Sequence, residues 1–145
     1  MNKVVLITGA SSGFGEATAK HLAKKGYKVY GTSRKEMTDK NVKMLKMDVC
    51  NSQSITEAIN QILEKEGKID VLINNAGMGI GGCIELATDE EISLQMNTNF
   101  MGMANMCKAV LPIFRKQRSG KIINISSIGG IMGLPYQGFY SASKF

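Results

Sequence analysis

The chain has 145 residues, of which 43% are hydrophobic and 21% charged, with a net charge of +6; this balance fits one folded domain and excludes a disordered or collagen-like chain. No apolar run approaches the roughly 20 residues of a membrane-crossing helix, and no longer apolar segment with a small-residue cleavage site indicates export, so the expected compartment is the cytoplasm and no membrane partner is expected. Lys and Arg are scattered rather than gathered in a stripe with aromatics, which argues against nucleic acid, and Cys50, Cys83 and Cys107 form no Cys-x-x-Cys pair, so no metal site is expected.

Val4 to Ile7 is a short β-branched run that reads as a strand buried on both faces. The segment from Phe14 to Lys25 places Ala17, Ala19, Leu22 and Ala23 at helical spacing before Gly26, and His21, the single histidine, is an ordinary helix position within it. Lys28 to Thr32 and Val42 to Met47 predict the second and third strands. A helix from Ile55 to Glu66, capped by Ser52 or Ser54 and stopped by Gly67, leads to a fourth strand from Ile69 to Ile73. Thr88 to Glu91 predicts a capping box that opens a long helix toward Phe114, and Lys121 to Ile125 predicts a fifth strand. Strands alternating with helices at these spacings imply one α/β domain over residues 1–145: a doubly wound parallel sheet of Rossmann type, truncated after the fifth strand.

Open sheets of this kind bind ligands beyond the carboxyl ends of their strands. After the first strand comes Thr8-Gly9-Ala10-Ser11-Ser12-Gly13-Phe14-Gly15, where glycines let a pyrophosphate approach backbone N–H groups and a helix N-terminus. Asn74-Asn75-Ala76-Gly77 follows the fourth strand, and Tyr140-Ser-Ala-Ser-Lys144 comes after the fifth. Taken together, these motifs resemble the short-chain dehydrogenase/reductase family, which carries TGxxxGxG, NNAG, an active-site serine and YxxxK in this order. The resemblance covers essentially the whole chain and implies a nicotinamide-dependent alcohol/ketone oxidoreductase, with Gly9, Ser11, Ser12, Gly13, Phe14 and Gly15 at the phosphates, Asp48 and Val49 at the adenine, and Asn75, Ala76 and Gly77 at the ribose side.

At the end of the second strand the family places an acid when the cofactor is NAD. Here neutral Ser33 stands at that position and Arg34 follows, and a guanidinium can hold a 2′-phosphate through a bidentate, charge-assisted pair. The expected cofactor is NADP(H), with Ser12, Ser33 and Arg34 nearest the phosphate and Lys35 a weaker contributor.

Reducing a carbonyl requires a proton at oxygen besides a hydride at carbon. Tyr140 and Lys144, four residues apart, share a helix face. At ~4 Å and an effective dielectric of ~20, a lysine ammonium attracts a phenolate by ~4 kcal/mol, which would lower a tyrosine pKa of ~10 by about three units. By resemblance, Ser127 holds the substrate oxygen, chosen over its neighbour Ser126 because it lies 13 positions before Tyr140 and because adjacent strand residues face opposite ways. Asn99 matches the family asparagine that interrupts the long helix and supports a water path to the lysine. The catalytic set is therefore Asn99, Ser127, Tyr140 and Lys144, and the substrate a small carbonyl or secondary alcohol.

The apolar stretch from Gly129 to Phe139 resembles that of hydroxysteroid- and retinol-type members. Family members continue beyond YxxxK with further strands and a substrate-binding loop, and the longer parent is expected to form a homo-oligomer. A helix starting near Phe139 or Tyr140 has fewer than two turns before Phe145, so it is not expected to hold Tyr140 and Lys144 rigidly. The alternative to an enzyme is a non-catalytic NADP(H)-binding module or an inactive truncated product.

Overall fold

A computed structural model describes residues 2–145. Five parallel strands, β1 (Val4–Ile7), β2 (Lys28–Ser33), β3 (Lys43–Lys46), β4 (Val71–Asn74) and β5 (Lys121–Asn124), lie in the order β3-β2-β1-β4-β5. The helices are α1 (Gly13–Lys24), α2 (Ser52–Glu66), α3 (Asp89–Met96), α4 (Gly102–Gln117) and α5 (Gly138–Lys144). Strand order reverses between β1 and β4, and the crevice at their carboxyl ends is where an open sheet accepts a ligand.

Side-chain alternation along β1 assigns the two faces. Val4 and Leu6 pack with Ile55, Ile59 and Ile62 of α2 and with Met106, Val110 and Phe114 of α4, whereas Val5 and Ile7 pack with Ala19, Leu22 and Ala23 of α1. All four β1 side chains are buried, which accounts for the uninterrupted apolar run. At the β5 edge Ile123 and Ile125 remain exposed.

Local details depart from expectation in three places, and a fourth follows the family resemblance. The cap of α2 is Asn51, whose side chain accepts the Ser54 N–H; Ser54 instead uses its own oxygen to accept the Asp48 N–H. β4 starts at Val71 rather than Ile69, because the Ile69 N–H and C=O are both engaged by the Gln117 side chain. The long helix is interrupted by a π turn over Asn97–Met101, between α3 and α4, at the asparagine for which the resemblance implies an interruption. Last, α5 is a formed helix despite its seven residues: Ser126 Oγ donates to the Lys144 carbonyl (2.9 Å) and Asn99 Nδ2 donates to Ser143 Oγ (2.9 Å), contacts that compensate for the few internal turns.

A charge cluster closes the opposite, amino-terminal end of the sheet. Lys28 (2.5 Å), Lys43 (3.0 Å) and the Tyr30 hydroxyl (2.9 Å) all donate to Glu66 at the end of α2, and the Lys43 ammonium also stands 5.1 Å from the centre of the Tyr30 ring. Hydrogen bonds from Lys28 and then Lys43 push the Glu66 carboxyl down to about 2, while burial pushes the Tyr30 phenol up. A carboxylate with a depressed pKa contributes stability above its unfolded pKa of ~4.3 and loses it as pH falls toward the folded value. Replacing Glu66→Gln is expected to lower the melting temperature at pH 7 and to flatten the loss of stability between pH 4.5 and about 2 in acid titrations followed by circular dichroism; an unchanged acid profile would show that the cluster contributes nothing.

Candidate active site

The β1 and β4 ends are sewn together before any ligand is considered. Thr8, 1% exposed, turns its hydroxyl oxygen to accept the N–H groups of both Asn75 and Ala76 (3.0 Å each). Asn75 reaches back, its Nδ2 donating to the carbonyls of Thr8 (3.0 Å) and Gly9 (3.1 Å). Gly9 sits at φ +66°, and a β-carbon there would come within 2.8 Å of the Ala76 Cα, so this close approach requires glycine. Gly15, buried in the first turn of α1, is confined by the Gly9 carbonyl and the Asn75 amide.

Beyond this seam opens a cavity of about 450 Å³. Of the residues expected at the cofactor, Gly9, Ser11, Ser12, Phe14, Gly15, Ser33, Arg34, Asp48, Val49, Asn75, Ala76 and Gly77 line it; Gly13 does not, and instead supplies the left-handed turn (φ +55°) that begins α1. Thr32, Met47, Cys50, Met78, Leu94 and Thr98 also line the cavity and were not anticipated. Ser12 is the N-cap of α1 but makes no side-chain capping bond, so its hydroxyl and the first amide groups of the helix remain open toward the cavity. Ser33 Oγ accepts the Lys35 N–H (3.1 Å), which leaves its own O–H proton to donate beside the exposed Arg34. Burial pushes the Cys50 thiol up, with the Thr98 hydroxyl opposing.

None of the four expected catalytic residues lines this cavity; Asn99 and Lys144 adjoin its wall at Gly77, and Tyr140 and Ser127 both lie against Gly129. Asn99, 4% exposed in the π turn, accepts the Met78 N–H (2.8 Å) and donates to the Met78 carbonyl (2.7 Å) and to Ser143. Lys144 Nζ donates to the Ile125 carbonyl (3.1 Å). Both residues flank Gly77, where a methyl group would meet Asn99 Oδ1 at 3.2 Å and Lys144 Nζ at 3.3 Å, so the cavity wall and the lysine adjoin. The Tyr140 ring lies between Gly79 and Gly129, with contacts of 3.4 and 3.2 Å to a methyl group at each. Ser127 Oγ accepts the Gly129 N–H (3.1 Å) and keeps its proton, whereas the Ser126 hydroxyl is engaged with α5. β5 stops at Asn124, so hydrogen bonding rather than strand alternation distinguishes the two serines.

A family model described as short chain dehydrogenase matches residues 3–145. The chain belongs to the short-chain dehydrogenase family. It is 66% identical over 144 residues to a 3-ketodihydrosphingosine reductase of Bacteroides thetaiotaomicron, covering 99% of this chain and 54% of that protein. It is 36% identical to human retinol dehydrogenase 8, covering 99% of the chain and 50% of that protein. Among solved structures, ElxO with NADP bound superposes with a TM-score of 0.93 at 34% identity, covering 99% of this chain and 63% of that one. The chain thus spans between half and two thirds of the length of these relatives.

The Thr8 hydroxyl holds two part-buried N–H groups, those of Asn75 and Ala76. Thr8→Val is expected to destabilise the protein by about 2–4 kcal/mol in urea unfolding, and Thr8→Ser by much less; equal effects of the two would show that the methyl group, not the hydroxyl, matters.

Proposed function

We propose that the whole protein is an NADP(H)-dependent ketone reductase acting on a substrate of the 3-ketodihydrosphingosine kind, with Tyr140 as proton donor, Ser127 holding the ketone oxygen, and Lys144 and Asn99 supporting the tyrosine. The observation that carries this reading is the single crevice that runs from Arg34 and Ser33, past the Gly9–Ala76 seam, to Gly77, against which Lys144 and Asn99 stand. The substrate class comes from the 66% identical relative, and NADP from the basic rim and from the NADP-bound structural neighbour.

The residues fit the cofactor chemically. Gly9 and Gly15 leave room for a diphosphate, the uncapped start of α1 offers amide donors, and Arg34 offers a planar cation where an acid would repel a 2′-phosphate. When bound, the reduced nicotinamide supplies the hydride. Ser127 donates to the ketone oxygen and orients it, its own oxygen steadied by the Gly129 N–H. The Tyr140 hydroxyl passes its proton to that oxygen as charge develops there, and Lys144, one turn along the same face of α5, places an ammonium beside the phenolate that remains. Asn99 holds the Met78 backbone and the α5 turn in register, so the alcohol forms against a fixed wall.

With 3-ketodihydrosphingosine as substrate, the whole protein is expected to oxidise NADPH, and Tyr140→Phe to abolish turnover while leaving NADPH affinity within about twofold. Retention of substantial activity by Tyr140→Phe would remove the tyrosine from its role, and binding of NADPH without turnover of any ketone would favour a binding module. Arg34→Ala is expected to weaken NADPH at least about tenfold in fluorescence titrations and leave NADH nearly unchanged; equal losses for the two cofactors would refute a 2′-phosphate contact.

A further inference from the structure

The loop from Gly77 to Gly82 has no regular secondary structure, yet every second N–H group along it is held. Met78 donates to Asn99 Oδ1 (2.8 Å), Ile80 to Gln95 Oε1 (2.6 Å) and Gly82 to the Tyr136 carbonyl (2.7 Å). Between the first two ties, Gly79 rests on one side of the Tyr140 ring, whose other side is bounded by Gly129. Behind the loop lies a second cavity of about 200 Å³, walled by Ile80, Gly81, Gln95, Ile92 and Phe139 among others, so packing alone does not hold the loop against the ring.

Gln95 is 1% exposed on α3, a placement that is unfavourable for an amide unless it is hydrogen-bonded. Its oxygen takes the Ile80 N–H, and it lies outside the wall of the large cavity. We propose that Gln95 is a positioning residue: it suspends the loop across the void so that Gly79 keeps the Tyr140 ring in its slot, and it governs the proton-transfer geometry without touching cofactor or tyrosine. Asn99, four positions along the chain, holds the near end of the same loop, and the Tyr136 carbonyl, from a residue at φ +60°, holds the far end. Gln95 is the middle tie, and it lines the second cavity together with Tyr136 at the far end. This inference rests on the assignment of Tyr140 as proton donor.

The test uses the whole protein with Gln95→Met, which keeps the volume and removes the acceptor. The turnover number is expected to fall about tenfold with NADPH affinity within about twofold, since a small misplacement near the reacting atoms slows the chemical step and not binding. The primary deuterium isotope effect on turnover, measured with NADPH deuterated at the transferred position, is expected to rise. Unchanged turnover per folded molecule, or a loss accompanied by weakened NADPH and an unchanged isotope effect, overturns the proposal. Should Gln95→Met fail to fold, Gln95→Asn retains an amide one methylene too short to reach Ile80, and the same outcomes decide. Tyr140→Phe run in parallel separates the two claims, because its retention of activity removes the premise itself.

Discussion

The arrangement depends on the seam at the switch point of the sheet, where the Thr8 hydroxyl accepts two N–H groups from β4's end and Asn75 returns two bonds to the backbone after β1. Two parallel strands that separate at their carboxyl ends leave unpaired backbone groups, and an unpaired buried amide costs about 1–3 kcal/mol. The seam removes that cost and at the same time fixes how far the two strand ends diverge. Gly9 and Gly15 permit the backbones to close to this distance, and the large cavity opens just beyond it. Distances at the far end follow from this fixed edge, because Gly77, two residues past Asn75, is the point that Asn99 and Lys144 flank.

The remaining devices hold the far end with side-chain hydrogen bonds, two from the buried amides Asn99 and Gln95 and one from the Ser126 hydroxyl. Asn99 ties the loop after β4 to α5 through Ser143, Gln95 ties its middle to α3, and Ser126 ties α5 to the segment after β5. Three segments remote in sequence thus meet around one aromatic ring. At the opposite end of the sheet, the Glu66 cluster links α2 to β2 and β3 without touching the crevice.

Much of this was legible in the sequence because it is written in backbone requirements. The run Val4 to Ile7, the glycines after it and the alternation of strands and helices give the parallel sheet, and the same glycines point to the crevice. What escaped depended on partners distant in the chain or on competition between similar residues. Thr8 gave no local sign of its role, since its partners lie 67 and 68 positions away. Asn51, Ser52 and Ser54 are all good caps, and only the demand of the Asp48 N–H on Ser54 settles which one caps α2. The π turn leaves no trace in the hydrophobic period of Asn97 to Met101, where only the resemblance at Asn99 implies an interruption, and Gln95 reads as one polar residue in a capped helix until the loop it holds is seen. The internal turns of α5 are too few to predict a held helix, whereas the bonds that hold it come from Ser126 and Asn99.

The most direct test of this account is a crystal structure of the whole protein with NADP bound. The account requires the diphosphate against Gly9, Ser12 and Gly15, the 2′-phosphate at Arg34 and Ser33, and the nicotinamide carbon that carries the hydride facing the Tyr140 hydroxyl. A nicotinamide directed away from Tyr140, or a 2′-phosphate that leaves Arg34 free in solvent, would contradict it.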